Sequence, residues 1–144
     1  NQLSMKIIGN GELKKEVYNF IKSNNLNKHV KVFTNLQRKS VLKMIAKSRV
    51  LVSSSSYETF GIVIIEAFSM GVPVVMTDSF GVRDLYNKNC SILVKRNEVN
   101  NLSESILKIL KNYDKYKYKT IVNYYKKNFS PSIVVNKIEK LYRS

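Results

Sequence analysis

"SSSSYETFGIVIIEAFSMGVPVV", residues 53–75, decides how this chain is read. It opens as a serine-rich loop and becomes an almost wholly apolar run. From Gly61 to Thr77 the only charged side chain is Glu66, and a second acid, Glu58, stands eight positions before it. The run from Phe60 to Gly71 is too long and continuous for an ordinary strand. Gly71 followed by Pro73 ends it as a helix ends. "PVVMT" (73–77) then reads as a buried strand, and "RVLVSS" (49–54) as the strand that feeds the loop. The stretch is strand, loop, helix, strand.

Working outward, the same alternation continues. "LSMKIIG" (3–9) reads as a strand, broken by "GNG", and "ELKKEVYNFIKSNNL" places Leu13, Val17, Phe20 and Ile21 at helical spacing. "HVKVF" (29–33) alternates as a strand does, and "LQRKSVLKMIAKS" is helical. Downstream, "SILV" (91–94) is a short strand after a turn. Three helices follow, in "NNLSESILKILKNY", "YKYKTIVNYYKKNF" and "PSIVVNKIEKLYRS", the last opened by Ser130 and Pro131. The order β-α-β-α-β-α-β-turn-β-α-α-α implies parallel strands joined by right-handed crossovers. The expected fold class is α/β: a Rossmann-like three-layer α/β/α domain with a mainly parallel sheet, spanning 1–144 as a single domain. "VLV" and "PVV" are apolar without alternation, as strands covered on both faces are.

The chain has 144 residues, 44% of them hydrophobic and 24% charged, which suits one globular domain. No apolar run approaches the roughly 18 to 20 residues needed to cross a bilayer. The start, "NQLSMKIIGNGE", lacks a basic segment followed by an apolar one, so it does not read as a signal peptide. The single cysteine, Cys90, cannot form an internal disulfide, which fits a reducing, cytoplasmic setting. It reads as a structural residue near a strand. The net charge of +15 is uneven: the middle third, 51–100, carries 4 basic and 5 acidic residues, so the positive charge sits in the flanks. Such a field favours anionic partners, namely phosphorylated ligands, nucleic acid or an anionic membrane surface. Lys-rich solvated helix faces account for it equally well.

In an open parallel sheet, ligands sit beyond the carboxyl ends of the strands. That rule selects Gly9–Gly11, Thr34–Leu36, Ser53–Gly61 and Thr77–Asp84. Glu58 falls between a strand and a helix, inside one of these segments. The helix entry from Thr59 to Ile62 offers unpaired backbone N–H groups, and Gly61 leaves room for close approach. Glu66 lies among Ile62, Val63, Ile64, Ile65, Ala67, Phe68 and Met70. A helix apolar all round is expected to be buried, and a buried unpaired carboxylate costs several kcal/mol. Glu66 therefore calls for a partner: a cation, backbone donors or a ligand's hydroxyl groups. A structural ion pair for Glu66, and a helix-entry acid for Glu58, remain open on this argument.

"SSYETFGIVIIEAFSMGVPVVMTD" resembles the signature of retaining glycosyltransferases of the GT-B fold, of the family-four, group 1 kind. There a Pro-Ser-x-x-Glu-x-Phe-Gly stretch is followed by Glu-Ala and then Gly-x-Pro-Val-Val. The matching residues are Ser55, Glu58, Phe60, Gly61, Glu66, Ala67, Gly71, Pro73, Val74 and Val75. "MKIIGNGE", "SRVLVSSS" and "SFGVRDLYNKNCSILV" resemble the segments around it, so nearly the whole chain is covered. The resemblance implies the C-terminal, donor-binding half of a GT-B fold. It implies that Glu58 lies by the donor sugar in a catalytic role. Thr59, Phe60, Gly61 and Ile62 would offer backbone N–H groups to sugar or phosphate. Glu66 would accept from the ribose hydroxyls, and Thr34 and Asn35 would approach the base. The implied reaction moves a sugar from a nucleotide diphosphate to a hydroxyl of a polysaccharide or glycolipid acceptor, with retention. It implies no cofactor and no divalent metal.

The departures are specific. Ser54 replaces the family's proline. The family's Gly-Gly-x-x-Glu reads Phe80-Gly81-Val82-Arg83-Asp84. The family's donor domain opens with another strand, then an Arg and a Lys for the diphosphate, and these are not found before Met5. That strand would lie between "MKIIG" and "VLVSS". The chain is thus expected to be a fragment whose partner is its own N-terminal acceptor domain, and to be inactive alone. Peripheral attachment at the inner membrane face is compatible with its charge. Two other readings compete. A dinucleotide fingerprint at "GNGELK" is incomplete, with Lys14 at the third glycine's place. A basic nucleic-acid module is suggested by Tyr113, Tyr116, Tyr118, Tyr124 and Tyr125 among lysines. Those tyrosines are better read as helix packing, and nucleic acid is not the expected partner. His29, the single histidine, merely opens a strand.

Overall fold

The structure is a computed structural model that describes residues 3–143. The elements follow the expected order: β1 (Met5–Ile8), α1 (Lys14–Ser23), β2 (Val30–Phe33), α2 (Arg38–Ala46), β3 (Leu51–Ser53), α3 (Ile62–Ser69), β4 (Val74–Thr77), β5 (Ser91–Val94), α4 (Val99–Lys111), α5 (Tyr118–Asn128) and α6 (Pro131–Arg143). A 3-10 helix, Phe80–Leu85, occupies what the sequence suggests is only a turn, and a second, Tyr113–Lys115, links α4 to α5.

Every strand pairing is parallel. The pairing does not make one sheet, however. β1 and β2 form a two-stranded sheet, and β3, β4 and β5 form a three-stranded one in the order β3-β4-β5. The chain divides accordingly into two compact units, 1–43 and 44–144, with the boundary inside α2.

In the first unit, β1 and β2 run in register from Met5 opposite Val30 to Ile8 opposite Phe33. The His29 carbonyl accepts the Met5 N–H at 2.7 Å, and His29 Nδ1 lies 3.3 Å from the Leu3 carbonyl, so this histidine closes the start of the sheet. Ile21 of α1 is buried. Asn10 donates through its side-chain amide to Asn35 Oδ1 at 3.1 Å, tying the turn after β1 to the loop after β2.

The second unit holds the larger core. β4 lies between two strands, and Val74, Val75 and Met76 have no exposed surface. Val75, Val94 and Ile109 pack together, flanked by Leu102 and Ile106 of α4. On α3, Ile64, Ala67 and Phe68 are fully buried. The helix is not buried all round, contrary to expectation: Ile62 is 61% exposed and Glu66 is half-buried. The helix buries one side, while its first residue stands at the sheet's open edge. Gly71 ends α3 as its position predicts, at φ 69°. Its N–H bonds to the Phe68 carbonyl, and the Val72 N–H to the Ala67 carbonyl, which is a Schellman stop.

The tyrosines weighed as a stacking surface pack mostly against the chain itself. Tyr124 meets Phe68 and Phe129 edge-on, with ring centres 5.6 and 5.5 Å apart. Tyr113 lies under the Arg49 guanidinium at 5.0 Å. Tyr118 covers Gly71, where an added Cβ would fall 2.1 Å from the ring. Cys90 is fully buried beside β5, and burial pushes its thiol up to about 11. Among the described residues, no helix is long and apolar enough to cross a membrane.

Candidate nucleotide-sugar site

The register of the second sheet brings the carboxyl ends of its strands to one edge, with Ser53 opposite Met76 and Thr77 opposite Val94. Three loops therefore leave this edge together: the one carrying Glu58, the one entering the 3-10 helix, and Lys95–Asn97. Three hydrogen bonds hold the first of these to its neighbours. Thr77 Oγ1 donates to the Ser55 carbonyl at 2.6 Å. Arg96 donates through Nη1 to the Ser56 carbonyl at 3.3 Å. The Gly81 N–H donates to the Glu58 carbonyl at 2.9 Å. The carbonyls of Ser55, Ser56 and Glu58 are spent on this scaffold.

Its N–H groups are used differently. Thr59 and Phe60 donate to Glu58 Oε1, at 3.0 and 3.5 Å. The loop just ahead of α3 thus holds a carboxylate oxygen of its own chain through two backbone N–H groups, both before the helix cap. Gly61 follows at φ 70° and caps α3. A Cβ there would lie 3.0 Å from Leu85 Cδ1 and 3.3 Å from Val82 Cγ1. The left-handed φ favours glycine here, and neighbouring side-chain ends crowd the place a Cβ would take, beyond the ligand access inferred from the sequence. The tighter constraint sits at Gly81, where a Cβ would fall 2.2 and 2.3 Å from the carbonyl oxygens of Thr59 and Glu58. The 3-10 helix rests directly on the Glu58–Thr59 backbone.

Glu58, Thr59, Phe60, Gly61, Ile62 and Glu66 are therefore brought onto one loop and the helix it enters, all in the second unit. Glu58 and Glu66 are both half-buried. Thr34 and Asn35 belong to the first unit, where they follow β2; Asn35 has φ 53° and holds Asn10.

Sequence reasoning missed two cations at this edge. Arg83 grips Asp78 through Nε–Oδ1 at 2.5 Å and Nη2–Oδ2 at 3.0 Å. That hydrogen bond, and the charges of Arg83 and Arg96, hold the Asp78 carboxyl below its ordinary value. Arg83 and Arg96 are two of the four basic residues in the otherwise neutral middle third, and that scarcity was the available signal. Also at this edge, the Ser79 hydroxyl is buried with no hydrogen-bond partner among the described residues.

Comparison with known proteins gives the family and the fold. Residues 1–128 match the family described as "Glycosyl transferases group 1". The chain belongs to that family. An uncharacterized glycosyltransferase of Methanocaldococcus jannaschii is 32% identical over 113 residues, covering 76% of this chain and 31% of that protein. The poly(ribitol-phosphate) alpha-N-acetylglucosaminyltransferase of Staphylococcus aureus is 30% identical over 115 residues, covering 78% of this chain and 23% of that protein. Among solved structures, a mutant S. aureus TarM in complex with fondaparinux, alpha-GlcNAc-glycerol and UDP superposes with a TM-score of 0.84 at 23% identity. That match covers 98% of this chain and 29% of the TarM chain. Its fold, the Rossmann-like α/β fold of GT-B glycosyltransferases, is the fold of this group 1 chain. The chain spans about a third or less of the length of these three proteins.

Proposed function

We propose that this chain is the nucleotide-sugar-binding part of a retaining glycosyltransferase, one that moves a sugar from a nucleotide diphosphate to a hydroxyl of a polysaccharide or glycolipid acceptor. The observation that carries the reading is the Glu58 loop. Its N–H groups converge on a carboxylate oxygen, its carbonyls are anchored, and it opens onto the edge where ligands of parallel sheets bind. Glu58 meets the donor sugar. The amides of Thr59, Phe60, Gly61 and Ile62 receive sugar hydroxyls or phosphate oxygens, and Glu58 yields the amides it now holds. Glu66 accepts the ribose hydroxyls, and Thr34 and Asn35 approach the base. No step is assigned to a metal ion or cofactor. Family membership and the UDP bound to TarM support the donor class.

The remainder of the protein belongs to the same proposal. Relatives more than three times as long as the aligned segment support a separate acceptor-binding domain. Without that domain this chain binds donor and does not transfer it. The exposed Val134, Val135, Ile138 and Leu141 of α6, set among Lys137, Lys140 and Arg143, support peripheral attachment to an anionic membrane face. A cytoplasmic site of action is part of the same proposal.

The test is a titration of UDP, GDP and ADP against the parent chain and Glu66→Ala. Two ribose hydroxyls lost from a carboxylate weaken binding of the preferred nucleotide at least about tenfold. Equal affinity of all three nucleotides for parent and variant defeats the ribose assignment.

A further inference from the structure

The two loops at the second sheet's edge carry a set of large apolar side chains turned to solvent. Tyr57 is 75% exposed, Phe60 56%, Ile62 61% and Phe80 90%. Single exposed apolar residues are ordinary, but several on adjoining loops mark a place where something binds. Phe80 stands out because its outward direction is built in. In a 3-10 helix, residues three apart share a face. Val82 and Leu85 form the inner face of Phe80–Leu85 and are almost completely buried. Phe80 and Arg83, also three apart, share an outer one, and Arg83 is likewise exposed. The helix rests on the Glu58–Thr59 backbone through Gly81, the residue next to Phe80. Phe80 also stands where the group 1 pattern has a glycine, so the ring is a feature of this chain.

The Gly81 contact thus sets the Phe80 end of this helix beside the loop that carries Glu58 and the amides ahead of α3, and Arg83, paired to Asp78, shares the helix's outer face. A hexose or similar ring matches this set: its hydroxyl edge suits Glu58 and the amides, its C–H face suits an aromatic ring, and its attached phosphate suits a cation. Resting on the donor-binding reading above, we propose that Phe80, with Phe60 and Tyr57 beside it, forms an aromatic shelf on which the sugar ring of the bound nucleotide sugar stacks. Phe80 thereby determines which donor sugars are held. Those presenting an uninterrupted C–H face are favoured over those with an axial hydroxyl on it.

The experiment is a proton NMR titration of the 144-residue chain with UDP, GDP and ADP, and with UDP-glucose, UDP-N-acetylglucosamine, GDP-mannose and ADP-glucose. Parent, Phe80→Gly, Phe80→Tyr and Glu66→Ala are compared, each checked for fold by far-UV circular dichroism. In the parent, the preferred nucleotide sugar binds more tightly than its own nucleotide, and its sugar C–H resonances move upfield under a ring current. In Phe80→Gly, affinity for the nucleotide sugar falls about five- to tenfold and the upfield shift disappears, while the nucleotide binds as before. Phe80→Tyr keeps both signals. If the sugar shift and the affinity ratio survive in Phe80→Gly, the shelf is overturned and the donor reading stands. If nucleotide and nucleotide sugar weaken equally, Phe80 acts on the nucleotide and the shelf is again overturned. If nothing binds in a manner that depends on Glu66, the donor reading falls and the shelf falls with it.

Discussion

The two units use the same parts and bury them very differently. Each has short parallel strands followed by amphipathic helices. In the second, β4 is buried along its whole length. In the first, β1 leaves Met5 49% and Ile8 38% exposed, and Leu13 at the start of α1 and Phe20 within it are more than 60% exposed. The strand sequences do not explain the contrast, since "MKII" and "VVMT" are both largely apolar. Cover explains it. β4 has a strand on either side and is packed by α3 and α4, whereas among the described residues β1 and β2 pair only with each other. Apolar content sets what a strand can bury, and the elements packed on it decide whether it does.

The largest effect that tests this contrast comes from a pair of truncations, one in the core and one outside it. Phe68 is fully buried and meets Tyr124 edge-on. Phe68→Ala is expected to destabilise the second unit by about 3 to 5 kcal/mol. Ile8→Ala, at a partly exposed strand residue, is expected to cost the first unit no more than about 1 kcal/mol. Hydrogen exchange read peptide by peptide separates the two units in one measurement. β4 should be the slowest segment of the parent, and β1 and β2 among the fastest strands. Equal protection of β1 and β4 would erase the difference between the units.

Gly81→Ala is next in size and strikes the site as well as the fold. The new methyl must clear two backbone oxygens that it would otherwise approach to 2.2 and 2.3 Å. Backbone cannot step aside as a flexible side chain can, so the 3-10 helix and the Glu58 loop must separate. The expected cost is about 1 to 3 kcal/mol of stability. A loss of donor affinity beyond what unfolding explains should accompany it, because the Glu58 carbonyl loses its Gly81 donor. Retained affinity together with retained stability would show that the loop is not anchored there.

The parts of this geometry that were legible in the sequence are the local ones. The helix of residues 62–69 announced its end through Gly71 and Pro73, and "SILV" stood out as an isolated apolar run. Glu58 was placed at the edge by strand order and the carboxyl-end rule alone. The rest depends on contacts distant in sequence. The bonds from Arg96 to Ser56, 40 residues apart, and from Gly81 to Glu58 leave no local pattern. The 3-10 helix was read as a turn because Val82 and Leu85 make a single repeat, too short to show a period. Hydrophobic pattern identifies strands without saying which will pair; the separation of β1 from β3 was legible through the resemblance, which places a further strand between "MKIIG" and "VLVSS". Ile62 was expected inside because its neighbours are apolar, yet it opens the helix at an edge.

The smallest expected effect bears on the second unit alone, which holds the chain's single thiol. Cys90 carries a thiol pushed by burial from its ordinary 9.0 to about 11. A raised folded pKa means that the folded state favours the neutral thiol. Its contribution is complete below about pH 9 and drains away as pH rises toward 11. Urea midpoints at pH 8 and pH 10.5 should therefore drop further in the parent than in Cys90→Ala. Tyr116 and Tyr124, also raised chiefly by burial, leave slopes of their own above pH 10; the part of the Tyr124 shift that comes from the Cys90 charge goes with the thiol, so the difference between the two proteins reports Cys90 together with its coupling to Tyr124. The same burial predicts that Cys90 resists alkylation in the native chain and reacts at the rate at which the second unit opens. Identical pH slopes in parent and variant, with rapid native alkylation, would mean that the core beside β5 is open to water. The contrast between a closed second unit and a more exposed first one would then be much weaker.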